Sequence, residues 1–237
     1  MPISTVWSRM RCQLEWIQTT ARGFRPSIEN SNRYTRRGNV IMTAGKAATT
    51  TLDANTVIKD WPEDSRTVTA ALITKYGAAD EVTPTLVTWH NRGPWKKIVA
   101  SKEPTPHNFP FPHGDIVENF TEYKVSPDDF AKLAHFDGSV TVSRTRGLLS
   151  ARCHDEEANH LAVNLAHDII TGKATVTQAR QTYVDTMLAF REKKPTPYMK
   201  ELQFKPQPKA ADPDIPLVSM DQLKQAAKDH KTTIPVG

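Results

Sequence analysis

Two groups of side chains in this sequence have the types and spacing to do chemistry. In the first, Glu157, His160, Asn164, His167 and Asp168 recur at steps that fall within about one third of a helix circumference. Carboxylates and imidazoles sharing one helix face can ligate a metal or move protons. Glu157 and His160 have the E-x-x-H step of di-iron bundles, but such sites need a second copy, and none occurs. His160 and His167 lie about 10 Å apart along the axis, too far to be neighbouring ligands of one ion. A metal would have to be held by Glu157 with His160, or by His167 with another segment such as His113. The expected role is a solvated polar stripe, with His160 at least partly exposed and no tight metal site.

The second group surrounds Cys153, which sits at a predicted strand end before a helix N-terminus, between Arg152 and His154. Each of these influences favours a thiolate, and so a nucleophile or redox thiol. Strand parity points the other way. Cys153 shares a side with Leu149 and Ala151, where a small apolar cysteine packs, so it is expected to be buried and slow to react.

His107, His113 and Asp115 offer further ligands from a proline-rich stretch, although eight histidines in 237 residues readily produce such groupings by chance. Arg92, Lys96 and Lys97 near one predicted turn, and Arg144 and Arg146 in another, would bind an anion if the two turns were neighbours. Trp89 and Trp95, with Phe109 and Phe111, would line a ligand groove. Aromatics beside strand ends more commonly form core or edge cover. The catalytic candidates are thus Cys153, His160 and His167. The ligand-binding candidates are Trp89, Arg92, Trp95, Arg144 and Arg146, and the metal candidates, none favoured, are His113, Glu157, His160 and His167.

The elements that must position these residues are legible from periodicity. Val140 and Val142 alternate with Ser139, Thr141 and Ser143, Gly147 supplies the positive φ of a turn, and a second strand follows to Cys153. Asp155 fits an N-cap and Gly172 the residue that ends a helix, which places Ala158, Leu161, Ala162, Leu165, Ala166 and Ile169 on one apolar arc. Upstream, a helix is expected near residues 63–76. TLVTWH and WKKIVAS then form a hairpin turning at Gly93. The stretch EPTPHNFPFPHG, with four prolines, reads as an extended crossing outside the sheet interior. A strand from Asp115, a helix beginning at Ser126 and Pro127, and a helix over 176–192 opened by a Thr175–Gln178 capping box complete the body. The fold class is therefore α+β: an antiparallel sheet of two hairpins and one further strand, covered by helices. Three regions follow: an N-terminal extension over 1–41, one domain over 42–192, and a proline-rich tail over 193–237 with a short helix from Ser219.

The formal charge of +5 resides in the N-terminal segment, where residues 1–41 hold seven arginines, no lysine and two glutamates. The remainder is neutral, which weakens the case for nucleic acid. No apolar run reaches the length of a membrane span. The composition of residues 1–41 fits an organelle transit peptide or a reading-frame extension ahead of Met42. The second is the expectation, with a cytoplasmic body.

The runs WHNRGPWKKIVASKEPTPHNFPFPHGD and FDGSVTVSRTRGLLSARCHDEEANHLAVNLAHDIITGK resemble an uncharacterised family of bacterial proteins with no established activity. The resemblance covers about residues 55–190. It implies that the N-terminal segment and the tail lie outside the shared domain, and it carries no residue roles. The expected function is a non-catalytic binding or assembly module, with no cofactor, whose tail contacts a protein partner or a second copy. A metal- or thiol-dependent enzyme centred on the helix after the second hairpin is the alternative.

Overall fold

The computed structural model describes residues 52–229, so the expectations for residues 1–41 lie outside the described residues. Its centre is a six-stranded antiparallel sheet: β1 (Glu81–Val82), β2 (Leu86–Arg92), β3 (Trp95–His107), β4 (His113–Glu122), β5 (Val140–Ser143) and β6 (Leu148–Cys153). The spatial order is β1-β2-β3-β4-β6-β5. The helices are α1 (Ala54–Val57), α2 (Glu63–Tyr76), α3 (Pro127–Phe136), α4 (Glu156–Ile170), α5 (Val176–Arg191), α6 (Pro197–Lys200) and α7 (Met220–Asp229). The α+β expectation holds, with the two-residue β1 added ahead of the first hairpin.

Local chemistry explains the boundaries. The Asp155 carboxylate accepts from the Ala158 amide at 2.9 Å and opens α4. Thr175 and Gln178 form the reciprocal capping box of α5. Gly147 has φ +64°, and a Cβ there would overlap the backbone of Ala210 and Ala211, so both conformation and space require glycine.

On β4 and β6, Val117 faces Cys153, Asn119 faces Ala151 and Thr121 faces Leu149, all on the face that meets α4. Asn159 of α4 donates to the Val117 carbonyl and to Asn119 Oδ1 at 2.8 and 2.6 Å. Glu156, on the first turn of α4, is buried yet fully engaged. It accepts from Trp95 Nε1 at 2.6 Å, from Lys75 Nζ at 2.5 Å and from the Tyr76 hydroxyl, which ties α2, β3 and α4 together.

The stretch read as an extended crossing is strand at both ends, with bends over residues 109–112 between them. It prolongs β3 to His107, and β4 begins at His113. Proline is tolerated because β2 stops pairing at Leu86–Ser101, leaving this arm bonded on one side only. Between the pairs Ala100–Val117 and Thr105–Asp115, β3 advances five residues while β4 advances two. That surplus of three is a bulge, and being odd it reverses the side-chain parity of β3 beyond it. Pro104 lies over Gly114, where an added Cβ would meet its own at 2.6 Å.

Nor does the core end at residue 192. Met199 is buried against the body, and Ala210 is buried farther along. The segment lacks regular pairing, so its backbone needs side-chain partners, and helix α4 provides them.

Candidate functional site

The polar stripe of α4 is not a solvated surface. His160 is only 4% exposed, and Asn164 and Asp168 are buried as well. Asn164 donates to the carbonyls of Tyr198 and Glu201 at 3.0 and 2.8 Å and accepts from the Gln203 amide at 2.7 Å. Asp168 accepts from the Tyr198 hydroxyl and pairs with Lys173. The hydroxyl of Tyr123 meets His167 Nδ1 at 2.7 Å, and the His167 ring stacks on Phe204 at 4.4 Å. These groups hold residues 196–204 against α4. The expectation of an exposed His160 is therefore corrected: its ring packs at 4.8 Å from Trp95, and burial pushes its pKa down to about 4. Glu157, by contrast, faces solvent, so it and His160 form no ligand pair. His167 is occupied by Tyr123 and Phe204 and does not join His113.

The remaining candidates separate in the same way. Trp89 and Trp95 are core residues whose indole N–H groups donate to the Gly77 carbonyl and to Glu156. They line no groove. Arg92 pairs with Asp80, and Arg144 with Asp212 and Asp214. Arg146 donates to Ser143 Oγ. Of the three arginines in the anion reading, Arg92 and Arg144 are thus neutralised by the chain's own carboxylates.

A different cluster forms at the β3–β4 turn and the end of β6, ahead of α4. His113 and Asp115 are two residues apart on one strand and so share a face. His107 lies directly opposite His113. Cys153, opposite Val117, is the diagonal neighbour of Asp115 on that face. His113 Nε2 lies 3.3 Å from Cys153 Sγ and 3.1 Å from Asp115 Oδ1. His107 Nδ1 lies 3.3 Å from the same Asp115 oxygen, and His107 Nε2 is 3.5 Å from Asp137 Oδ1. Asp115 is 1% exposed. A wholly buried carboxylate needs compensating charge. Asp115 first, with Cys153 beside it, raises the pKa of His113 to about 10. The other nitrogen of His113 donates to the Phe111 carbonyl at 2.7 Å, which fixes the ring so that Nε2 faces the sulfur and the carboxylate.

As parity predicts, Cys153 is buried, at 6% exposure, yet its sulfur is not sealed in apolar packing. Cys153 and His113 border a cavity of about 500 Å³ between the Pro110–Gly114 turn, the start of α4 and helix α5. Its apolar wall is Phe111, Met187 and Phe190, with Arg191 also lining it. Tyr183 contributes a hydroxyl 3.7 Å from Cys153 Sγ, and burial holds its pKa well above the usual phenol value, so it remains a donor. Phe109 anchors the turn from behind, packed on Tyr183 and under the Arg180 guanidinium at 3.8 Å.

The H-x-D step of His113 and Asp115 was the visible signal for this cluster. His107 was named beside them, but the parity reversal that brings it to the same face was not legible. Tyr183 lies within the helix expected over 176–192, and nothing in its spacing pointed to the thiol. No helix among the described residues is long and apolar enough to cross a membrane. No protein-family model matches this chain, and no curated protein or solved structure matches it.

Proposed function

We propose that the protein is a thiol-dependent enzyme in which Cys153 attacks an electrophilic carbonyl carbon and His113 manages the proton. The observation that carries this reading is the 3.3 Å approach of His113 Nε2 to Cys153 Sγ at the edge of a cavity large enough for a small substrate. The reactive form is the thiolate facing the imidazolium. The sulfur forms a bond to the carbonyl carbon, the bond to the leaving oxygen breaks, and the His113 proton passes to that oxygen. Water then cleaves the thioester, returning its proton to His113 and the thiol to its starting form. Asp115 acts through His113: it faces the same nitrogen as the sulfur, so it stabilises the imidazolium charge and does not relay a proton from behind. The Phe111, Met187 and Phe190 wall suits a short apolar acyl group.

The test uses the full chain with Cys12→Ser as background, so that Cys153 is the only thiol. Short-chain p-nitrophenyl esters should leave one acyl group on Cys153, seen by intact mass and absent in Cys153→Ala. Iodoacetamide should label Cys153 faster than it labels the same protein unfolded, with His113→Gln slower by about 100-fold. No acyl adduct, together with labelling no faster than in the unfolded chain, would overturn the reading. The protein would then be better read as a non-catalytic binding or assembly module.

A further inference from the structure

The thiol reading leaves His107 without a role. It lies across from His113 with its Nδ1 3.3 Å from Asp115 Oδ1, so one buried carboxylate oxygen is approached by two imidazole nitrogens, and one of those also faces a thiol. We propose that His107, His113, Asp115 and Cys153 form a binding site for a zinc-class divalent cation, and that the bound ion blocks the thiol.

Four bonds of about 2.0–2.3 Å at tetrahedral angles set ligand atoms roughly 3.2–3.7 Å apart. The separations here are 3.1 Å for His113 with Asp115, 3.3 Å for His107 with Asp115 and 3.3 Å for His113 with Cys153. Ligand atoms of His107, His113 and Asp115 all lie within 4.8 Å of one another, and Cys153 Sγ joins them through its 3.3 Å approach to His113 Nε2. The outer contacts also fit. The Phe111 carbonyl takes the Nδ1 proton of His113 and leaves Nε2 as the ligand atom. On the far side of His107, Asp137 Oδ1 sits 3.5 Å from Nε2 and is itself held by Ser139 Oγ at 2.9 Å.

Two nitrogens, one oxygen and one sulfur make a borderline donor set, which selects zinc over magnesium or calcium, ions that take oxygen ligands. The ion would occupy His113 Nε2 and Cys153 Sγ, the two atoms that the acyl transfer uses, so the loaded form is inactive and the free form reactive. This inference shares those two residues with the thiol reading but does not rest on it, because His107 belongs to the metal set alone.

The experiment titrates zinc into the full-length, chelator-washed, reduced Cys12→Ser protein against a chromophoric zinc chelator. It also follows iodoacetamide labelling of Cys153 with and without the ion. One zinc per chain is expected. Saturating zinc should slow labelling at least tenfold. His107→Ala should weaken binding by 100-fold or more, and its protection by zinc is read against its own zinc-free labelling rate. His107→Asn serves where the alanine variant fails to fold, and the protection measurement on the unsubstituted site needs no variant. Cobalt in place of zinc should give a sulfur-to-metal charge-transfer band that disappears in Cys153→Ser. Failure to bind zinc, or binding and protection that persist unchanged in both His107 variants, would overturn the proposal. Slow zinc-free labelling with zinc binding intact would instead count against the thiol enzyme alone.

Discussion

The α4 stripe and the β3–β4 turn both carry histidines and carboxylates, yet their polar atoms are used differently. At three positions of the stripe they are committed to structure: Asn164 uses both ends of its amide on residues 198–203, Asp168 takes the Tyr198 hydroxyl and Lys173, and His167 is stacked on Phe204. At the turn, the Cys153 sulfur and His113 Nε2 face each other beside open volume, and Asp115 is approached by more than one cation-forming group. Residue type nominated both regions. What separates them is whether the chain itself already fills the coordination of each atom.

Substitutions that remove one atom at a time would sharpen or break that contrast. The largest expected effect is on the stripe. Asn164→Ala should lower stability by about 3 kcal/mol, since three backbone groups lose a buried partner. The denaturation midpoint should fall while the Cys153 labelling rate in the folded protein holds. A loss below about 1 kcal/mol would mean that residues 198–203 add little to the fold.

His160 should produce an intermediate effect that depends on pH. Its pKa is about 4 when folded, below the value near 6.5 of an unfolded chain, so unfolding binds a proton in that window. Stability should therefore be unaffected by His160 above about pH 6.5 and fall by about 1–3 kcal/mol as pH drops from there toward 4. His160→Gln should flatten that part of the curve. An identical acid slope in the variant would assign the loss to other groups.

The smallest stability effect is expected at the turn. Tyr183→Phe removes a hydroxyl whose partner is a sulfur 3.7 Å away, so the melting temperature should shift by no more than the equivalent of about 0.5 kcal/mol. The labelling rate of Cys153 should nevertheless change several-fold. A large stability loss with unchanged labelling would reverse the assignment and make this cluster structural too.

How far the molecule could be read in advance follows from the range of the signals involved. Helices α2 to α5 and the strand pairs announced themselves through periodicity and caps, because Asp155, Thr175 and Gly172 act within a few residues of where they stand. The burial of Cys153 likewise followed from its parity with Leu149 and Ala151. The seat of residues 196–204 did not. Asn164 meets Gln203 across 39 positions, and a proline-rich chain without a repeat advertises no buried face. For the same reason His160 looked exposed: helical spacing distinguishes an apolar arc from a polar one, but it does not show that a later segment will cover the polar side. At the site, His113 and Asp115 could be paired from spacing alone, whereas Cys153 and His107 required the strand register.

The surplus of three residues in β3 has an evolutionary reading as well as a geometric one. Side chains on a strand alternate, so the identity of the face presented after Thr105 depends on whether the number of intervening residues is odd or even. Loss or gain of a single codon between Ser101 and Pro104 would turn His107 to the opposite side of the sheet with no change to any residue of the cluster. Loss of two would shorten the arm and keep it in place. Among relatives of this chain, the length of that short stretch would therefore discriminate proteins with a four-donor cluster from those with three better than the presence of the histidine itself.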